Sequence, residues 1–237
     1  MPRVFYFHTM SCILHLETAT KNCSVAISEN GHFVADVASY TAHYSHGEKL
    51  HLFIEEVLSK AKKTPKDLDA IAVSKGPGSY TGLRIGVAAA KGLCYALEIP
   101  LIGLNSLEIM AQAVTNVTED YYLAPLLDAR RMEVYTMVFD SLKNTIKETW
   151  AEVLNQDSFT EVLGEKKLIV FGEGAAKFKT IQHAPNITFL KGHLYPSATE
   201  MVGLAYQAYN QKKFESLAYF EPFYLKEFLT TPTKKSL

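Results

Sequence analysis

The sequence is poor in the residues that mark redox and metal centres. Of 237 residues only three are cysteine, Cys12, Cys23 and Cys94, and no CxxC pair occurs. That excludes a zinc ribbon or a dithiol redox site. Thiols embedded in apolar runs read as buried free cysteines in a reducing compartment. No HExxH is present. In the stretch HYSHGEKLH, His43, His46 and His51 miss the i, i+4 pairing, because Gly47 and Leu50 stand four residues after the first two. These histidines read as surface or capping groups, and no metal site is expected. A GxSxG nucleophile elbow is missing as well. No apolar run reaches ~18 residues, so no membrane-spanning helix is expected. The segment MPRVFYFHT lacks the apolar stretch and cleavage site of a signal peptide. Met10 then reads as the natural start, with residues 1–10 an extension or mis-assigned start and a cytoplasmic location expected. Charge of one sign is lacking too: 24 basic residues meet 25 acidic ones, for a net of -1. Such a balance argues against a nucleic-acid surface acting alone, and Lys234 and Lys235 read as a solvated tail.

What is present is apolar and periodic. Hydrophobic residues make up 48% of the chain, enough for one large domain or two packed lobes. Hydrophobic patterning predicts strands over 12–18, 23–28 and 32–39, with a turn at Asn30-Gly31. A helix over 45–61, a strand over 70–74, a helix over 80–97, a strand over 100–104 and a helix over 106–117 follow. Three further strands are predicted over 122–127, 133–139 and 145–153. A short helix over 158–163, a strand over 168–171, a helix over 175–181, a weak strand over 187–190 and a helix over 198–211 complete the chain. The order is α/β, βββαβαβα, written twice. It predicts a first lobe over 11–118 and a second over 119–237 with a C-terminal tail. This is the plan of the actin-like ATPase and sugar-kinase (ASKHA) fold, an analogy that assigns no chemistry by itself.

Two places in that plan invite a functional reading. The first is SKGPGSYTGLRIG, where a strand, a Gly-rich loop and a helix follow one another. Its Gly76, Gly78 and Gly82 form GxGxxxG, matching neither the Walker pattern GxxxxGK[ST] nor GxGxxG. Pro77 also removes an N–H from any phosphate cradle. The loop is read as a tight structural turn. The helix it launches is apolar or small almost all round, so it needs cover on more than one side. Its outer side is read as a partner interface, weighed evenly against a helix sandwiched within the chain. The second place is the pair of hairpins LETATKNCSVAI and LDARRMEVYTMVF, with Glu17 and Asp128 at matching positions. Together with Arg130, and with Arg131 beside it, these are candidates for holding a Mg²⁺-nucleotide. The segment FGEGAAKF is a weak candidate for packing near an adenine. An inactive pair of hairpins is the reading preferred over ATP hydrolysis.

The motifs LETATKNCSVAI, HGEKLHLFIEEVL, VSKGPGSYTGLRIGVAAAKGL, GLNSLEIMA, LDARRMEVY and EPFYLKEF occur in this order. Together they resemble the bacterial TsaB family, also called YeaZ, over nearly the whole chain from Met10. Lys226 stands where the family's closing P-x-Y-L-R has arginine. The resemblance implies a non-catalytic scaffold subunit of tRNA threonylcarbamoyladenosine synthesis. It implies pairing with TsaD, which carries the HxxxH metal site and the ATP site, and joint work with the ATPase TsaE. The tRNA would be met only indirectly, through the complex. A homodimer in isolation is implied, through a similar surface. No tightly bound cofactor is expected, with a nucleotide at an intersubunit seam left open. Mapped onto this chain, the interface is expected from helices 45–61 and 80–97: Leu50, Phe53, Ile54, Val57, Arg84, Val87, Ala88, Lys91 and Tyr95, with the outward face left undetermined. Competing readings are an autonomous actin-like ATPase or kinase using Glu17 and Asp128, and an inactive M22-type glycoprotease-like protein.

Overall fold

The structure is a computed structural model and describes residues 11–40, 46–192 and 195–226. Expectations about residues 1–10, His43, the side chain of His46 and the Lys234–Lys235 tail lie outside them. Two five-stranded sheets form the frame. The first contains β1 (Cys12–Glu17), β2 (Asn22–Glu29), β3 (His32–Tyr40), β4 (Ala70–Gly76) and β5 (Leu101–Asn105), in the order β3-β2-β1-β4-β5. Strands β1 to β3 are an antiparallel meander, and β4 and β5 run parallel to β1. The second contains β6 (Tyr121–Asp128), β7 (Glu133–Phe139), β8 (Thr145–Val153), β9 (Lys167–Phe171) and β10 (Ile187–Phe189), in the order β10-β9-β6-β7-β8. Its strand directions repeat those of the first sheet. The chain is therefore an α/β protein of two sheets with one topology, the actin-like arrangement.

The first sheet is covered on both faces, which is why β1 reads as a continuous apolar run. On one face, Leu14, Leu16, Val25, Ile71 and Val73 meet α1 (His46–Ala61) and α2 (Tyr80–Leu97). On the other, Ile13, Ala26, Ala72 and Ile102 meet α3 (Ser106–Gln112) and α6 (Met201–Asn210). Small residues at 26, 70 and 72 leave room for α6 to lie close to this face.

The halves exchange their last helices. Helix α3 turns Leu107, Met110 and Ala111 toward Leu123, Leu127, Phe139 and Phe171 of the second half, while its Ile109 faces the first sheet. Helix α6, at the end of the second half in chain order, seats Met201 and Ala205 on the first sheet. The two short helices of the second half, α4 (Thr160–Leu163) and α5 (Ala175–Lys179), close a core centred on Phe178.

Several helices are shorter than the periodicity suggests. Helix α3 stops at Gln112 rather than at 117. Beyond it lie β-branched Val114, Thr115 and Val117 and a left-handed Asn116 (φ 58°). Ser158 is drawn out of α4 because its hydroxyl donates to Glu152 at 2.7 Å and accepts the Asn155 N–H at 3.0 Å. Residues 198–200 wind as a 3-10 turn before α6 begins. No helix among the described residues is long and apolar enough to cross a membrane.

Candidate partner-binding surface

Helix α2 is buried along one side and open along the other. Ser79 caps it, accepting the Gly82 N–H at 3.3 Å. Leu83, Gly86, Val87, Ala90 and Cys94 form its buried stripe. On the opposite side run Thr81, Arg84, Ala88, Gly92 and Tyr95, all exposed, with Tyr95 at 78%. A side-chain carbon at Gly92 would meet nothing within 4 Å, so this ridge is open and low. On α1, Leu52 is 62% exposed.

The expected interface set divides accordingly. Leu50, Ile54 and Val57 of α1 and Val87 of α2 are core residues packed on the first sheet, not outward groups. Their periodicity marked burial within this chain, which an apolar stripe does equally well for either purpose. Phe53 is half-buried on the flank of α1 shared with Lys49 and Lys60, which bond to Ser39 and Asp36 of β3. That flank faces β3, away from α2. Arg84, Ala88 and Tyr95 point outward, and Lys91 is half-buried.

Lys91 is already engaged. Its ammonium donates to the carbonyls of Phe220, at 2.9 Å, and Ala218, at 3.3 Å. Both carbonyls belong to a C-terminal strap, 215–226, that returns to the first half after α6. The strap starts at the β5 edge, where the Glu215 N–H donates to the Leu101 carbonyl at 2.9 Å. It continues to the end of β4, where Phe223 N–H donates to Lys75 O at 2.6 Å, and ends with Lys226 paired to Glu133 of β7. Between strap and helix lies a groove of about 370 Å³. Arg84 forms its wall by donating to the Tyr80 hydroxyl at 2.7 Å, and Tyr80 packs against Tyr224 with ring centroids 5.0 Å apart. Tyr219 is 86% exposed. The strap belongs to no regular element and so leaves no trace in the hydrophobic periodicity. Its aromatic density in AYFEPFYL was the available signal.

The Gly-rich loop holds this surface in place. A side-chain carbon at Gly78 would strike the Ala19 carbonyl, whose oxygen also accepts the Ser79 N–H at 2.6 Å. At Gly76, which has φ +114°, it would lie 2.6 Å from the Phe223 carbonyl. At Gly86 it would strike the Thr18 hydroxyl, itself donating to Gly82 O at 2.8 Å. The loop thus grips the β1–β2 turn and the strap. Gly86→Ala is expected to cost about 1–3 kcal/mol through this overlap. Gly92→Ala, in open space on the same helix, should gain up to about 1 kcal/mol. Urea midpoints of the two variants check the opposite signs.

The hairpin cleft is poorly suited to a Mg²⁺-nucleotide. Glu17 is wholly buried. One oxygen accepts the Ala19 N–H at 2.6 Å, and the other makes no hydrogen bond of ordinary geometry. Burial pushes its carboxyl up to about 8, partly offset by the Ala19 N–H and the nearby Ser74 hydroxyl. Asp128 is accessible but committed, accepting the Lys177 ammonium at 3.0 Å and the Arg130 N–H at 2.6 Å. Lys177, from FGEGAAKF, also bonds the carbonyls of Arg131 and Glu133, so a protein cation stands beside the carboxylate a metal would use. Among the described residues no three His, Cys, Asp or Glu side chains gather to hold an ion. A buried Glu17 and an Asp128 already bonded to Lys177 and to the Arg130 N–H are a weak fit to the anticipated Mg²⁺-nucleotide site.

Residues 37–235 match the family model described as TsaD, tRNA N6-adenosine threonylcarbamoyltransferase. The tRNA threonylcarbamoyladenosine biosynthesis protein TsaB of Buchnera aphidicola subsp. Schizaphis graminum is 30% identical over 196 residues, covering 80% of this chain and 90% of that protein. The chain belongs to the TsaB family. The TsaB of Escherichia coli (strain K12) is 28% identical over 226 residues, covering 90% of this chain and 94% of that protein. Among solved structures, YeaZ from Pseudomonas aeruginosa superposes with a TM-score of 0.80 at 25% identity, covering 91% of this chain and 100% of that one. A tRNA N6-adenosine threonylcarbamoyltransferase of Pediococcus pentosaceus is also similar, 29% identical over 207 residues. That match covers 76% of this chain but only 60% of the relative. This TsaB-family chain is thus similar to part of a longer transferase.

Proposed function

We propose that this chain is a non-catalytic subunit of the tRNA threonylcarbamoyladenosine pathway that pairs with TsaD and works with TsaE. The observation that carries the reading is the open ridge of α2, Arg84, Ala88, Gly92 and Tyr95, on a helix whose other side is already buried. Small residues at its centre let a second helix approach closely, and the exposed Tyr95 and the groove wall at Arg84 supply anchors of the kinds enriched in interfaces. The closed Glu17 and the lysine-bound Asp128 support the non-catalytic part. A homodimer through the same ridge is the state proposed in the absence of TsaD. The tRNA is met through the complex.

The test is reconstitution. TsaD, TsaE and this chain are combined with unmodified tRNA, threonylcarbamoyl donor and ATP, and product nucleoside is measured with each component omitted. The reading expects co-elution with TsaD and loss of product when this chain is left out. Full product without it, or nucleotide turnover by the isolated chain that Asp128→Ala abolishes, overturns it.

A further inference from the structure

A second concavity lies away from both the α2 surface and the hairpin cleft. It measures about 770 Å³ and is shared by the two halves. Its walls come from the β4 end, α3, the β7–β8 turn, α6 and the first strap residues. Strand β7 separates it from the Asp128 turn: its seven residues span roughly 23 Å at ~3.3 Å each. This size falls within the range of small-molecule sites, roughly 300–1,000 Å³.

The charges in it are unequal. Three lysines, Lys75, Lys143 and Lys213, line the cavity with two glutamates, Glu108 and Glu215. Lys75 is matched to Glu215 at 3.6 Å. The ammonium of Lys143, partly buried, donates among the described residues only to the Gln112 carbonyl at 3.2 Å, and desolvation holds it below the usual lysine range. Lys213 makes no ion pair or side-chain hydrogen bond among the described residues, although it and Lys75 act electrostatically on Glu108. Burial raises the Glu108 carboxyl, and Glu148 outside the cavity adds to the rise. With Lys75 matched to Glu215, Lys143 and Lys213 share the cavity with one remaining carboxylate, Glu108, which leaves one cation in excess.

The remaining lining is suited to a flat, hydrogen-bonding group. Phe214 is 41% exposed, and among the described residues the aromatic ring beside it is Tyr209, edge-on at 5.9 Å between centroids. Gln207 of α6 and Gln211, the residue that caps its end, are exposed and line the same cavity. Cations for a phosphate, an aromatic face for a base and amides for its edge are thus brought together.

We propose that this cavity binds a mononucleotide-sized organic phosphate, with its phosphate between Lys143 and Lys213 and its planar base on Phe214. Because Lys143 belongs to the second half and Lys213 follows α6 on the first, the ligand would tie the two halves together.

The isolated full-length chain is titrated with AMP, GMP, CMP and UMP, and with inorganic phosphate, by calorimetry and thermal shift. At least one nucleoside monophosphate should bind with Kd of about 100 µM or tighter, roughly 5.5 kcal/mol, and should raise Tm. Lys143→Gln and Phe214→Ala should each weaken binding tenfold or more, and Asp128→Ala should leave it unchanged. Circular dichroism confirms that the variants are folded, and binding of TsaD by the same variants separates this site from the subunit role. Absence of binding by all four nucleotides overturns the proposal. So do inorganic phosphate binding as tightly as the nucleotides, binding that neither cavity variant weakens, and binding lost in Asp128→Ala.

Discussion

Ala88→Arg should weaken pairing with TsaD by at least about 100-fold, some 2.7 kcal/mol, while leaving the melting temperature of the isolated chain within a degree or two. Ala88 is exposed at the middle of the α2 ridge, between Arg84 and Gly92. An arginine there keeps good helix propensity and touches no core atom, so folding should tolerate it within about 0.5 kcal/mol. In a close helix–helix contact the same side chain would hold the partner away and place a second cation beside Arg84. The price is large because a buried charge without a partner is poorly compensated. Size-exclusion chromatography and calorimetry with TsaD read the effect, and any homodimer should be lost in parallel. Unchanged assembly with TsaD would move the interface off this ridge.

The second large effect concerns Glu17. Its carboxyl is pushed from 4.5 up to about 8 by complete burial. The folded protein therefore holds a proton that the unfolded chain releases above about 4.5. Its contribution to stability is intact below that pH and is lost as pH rises toward 8, at about 1.4 kcal/mol per pH unit. His15 acts in the opposite sense over a lower window. It is wholly buried, its Nε2 is 2.8 Å from the Ser28 hydroxyl, and desolvation lowers its pKa from 6.5 to about 3. The folded state keeps it neutral while the unfolded chain protonates it below 6.5, so stability is lost as pH falls. Between about 4.5 and 6.5 the two slopes oppose one another, and above 6.5 Glu17 acts alone. Glu17→Gln keeps an acceptor for the Ala19 N–H and removes the titration. Relative to the parent chain it should gain on the order of 3 kcal/mol between pH 5.5 and pH 8. Urea unfolding at the two pH values measures that difference. A parallel pair of curves would show that Glu17 is ionised in the folded protein.

Much of the architecture was legible before the fold was known. The patterning of strands 133–139 and 145–153 and of helix 80–97 predicts their observed ends. Alternation and 3.6-residue periodicity are strong signals where an element is long and covered on a defined face. Helix ends were read less well, because Asn116, Ser158 and the 198–200 turn depend on individual backbone and side-chain bonds. The matching hairpins exposed the duplication, since each places an acidic residue at the end of its first strand. Their chemistry was not legible. Whether Glu17 faces water and whether Asp128 is free depend on residues distant in sequence, Ser74 for one and Lys177 for the other.

The amino-acid order thus settled the class of fold, the repeated strand plan and the misfit of GPGSYTG to phosphate-binding patterns, all properties of local spacing. Only the tertiary structure decided which face of each helix is outward. Leu50, Ile54, Val57 and Val87 went inside, while Arg84, Ala88 and Tyr95 stayed out. The exchange of α3 and α6 between halves and the return of the strap over α2 belong to that same level. The physical reason is that an apolar periodicity specifies that a face must be covered, without specifying by what. The cover is chosen by contacts between segments as far apart as Lys91 and Phe220, which no local pattern encodes.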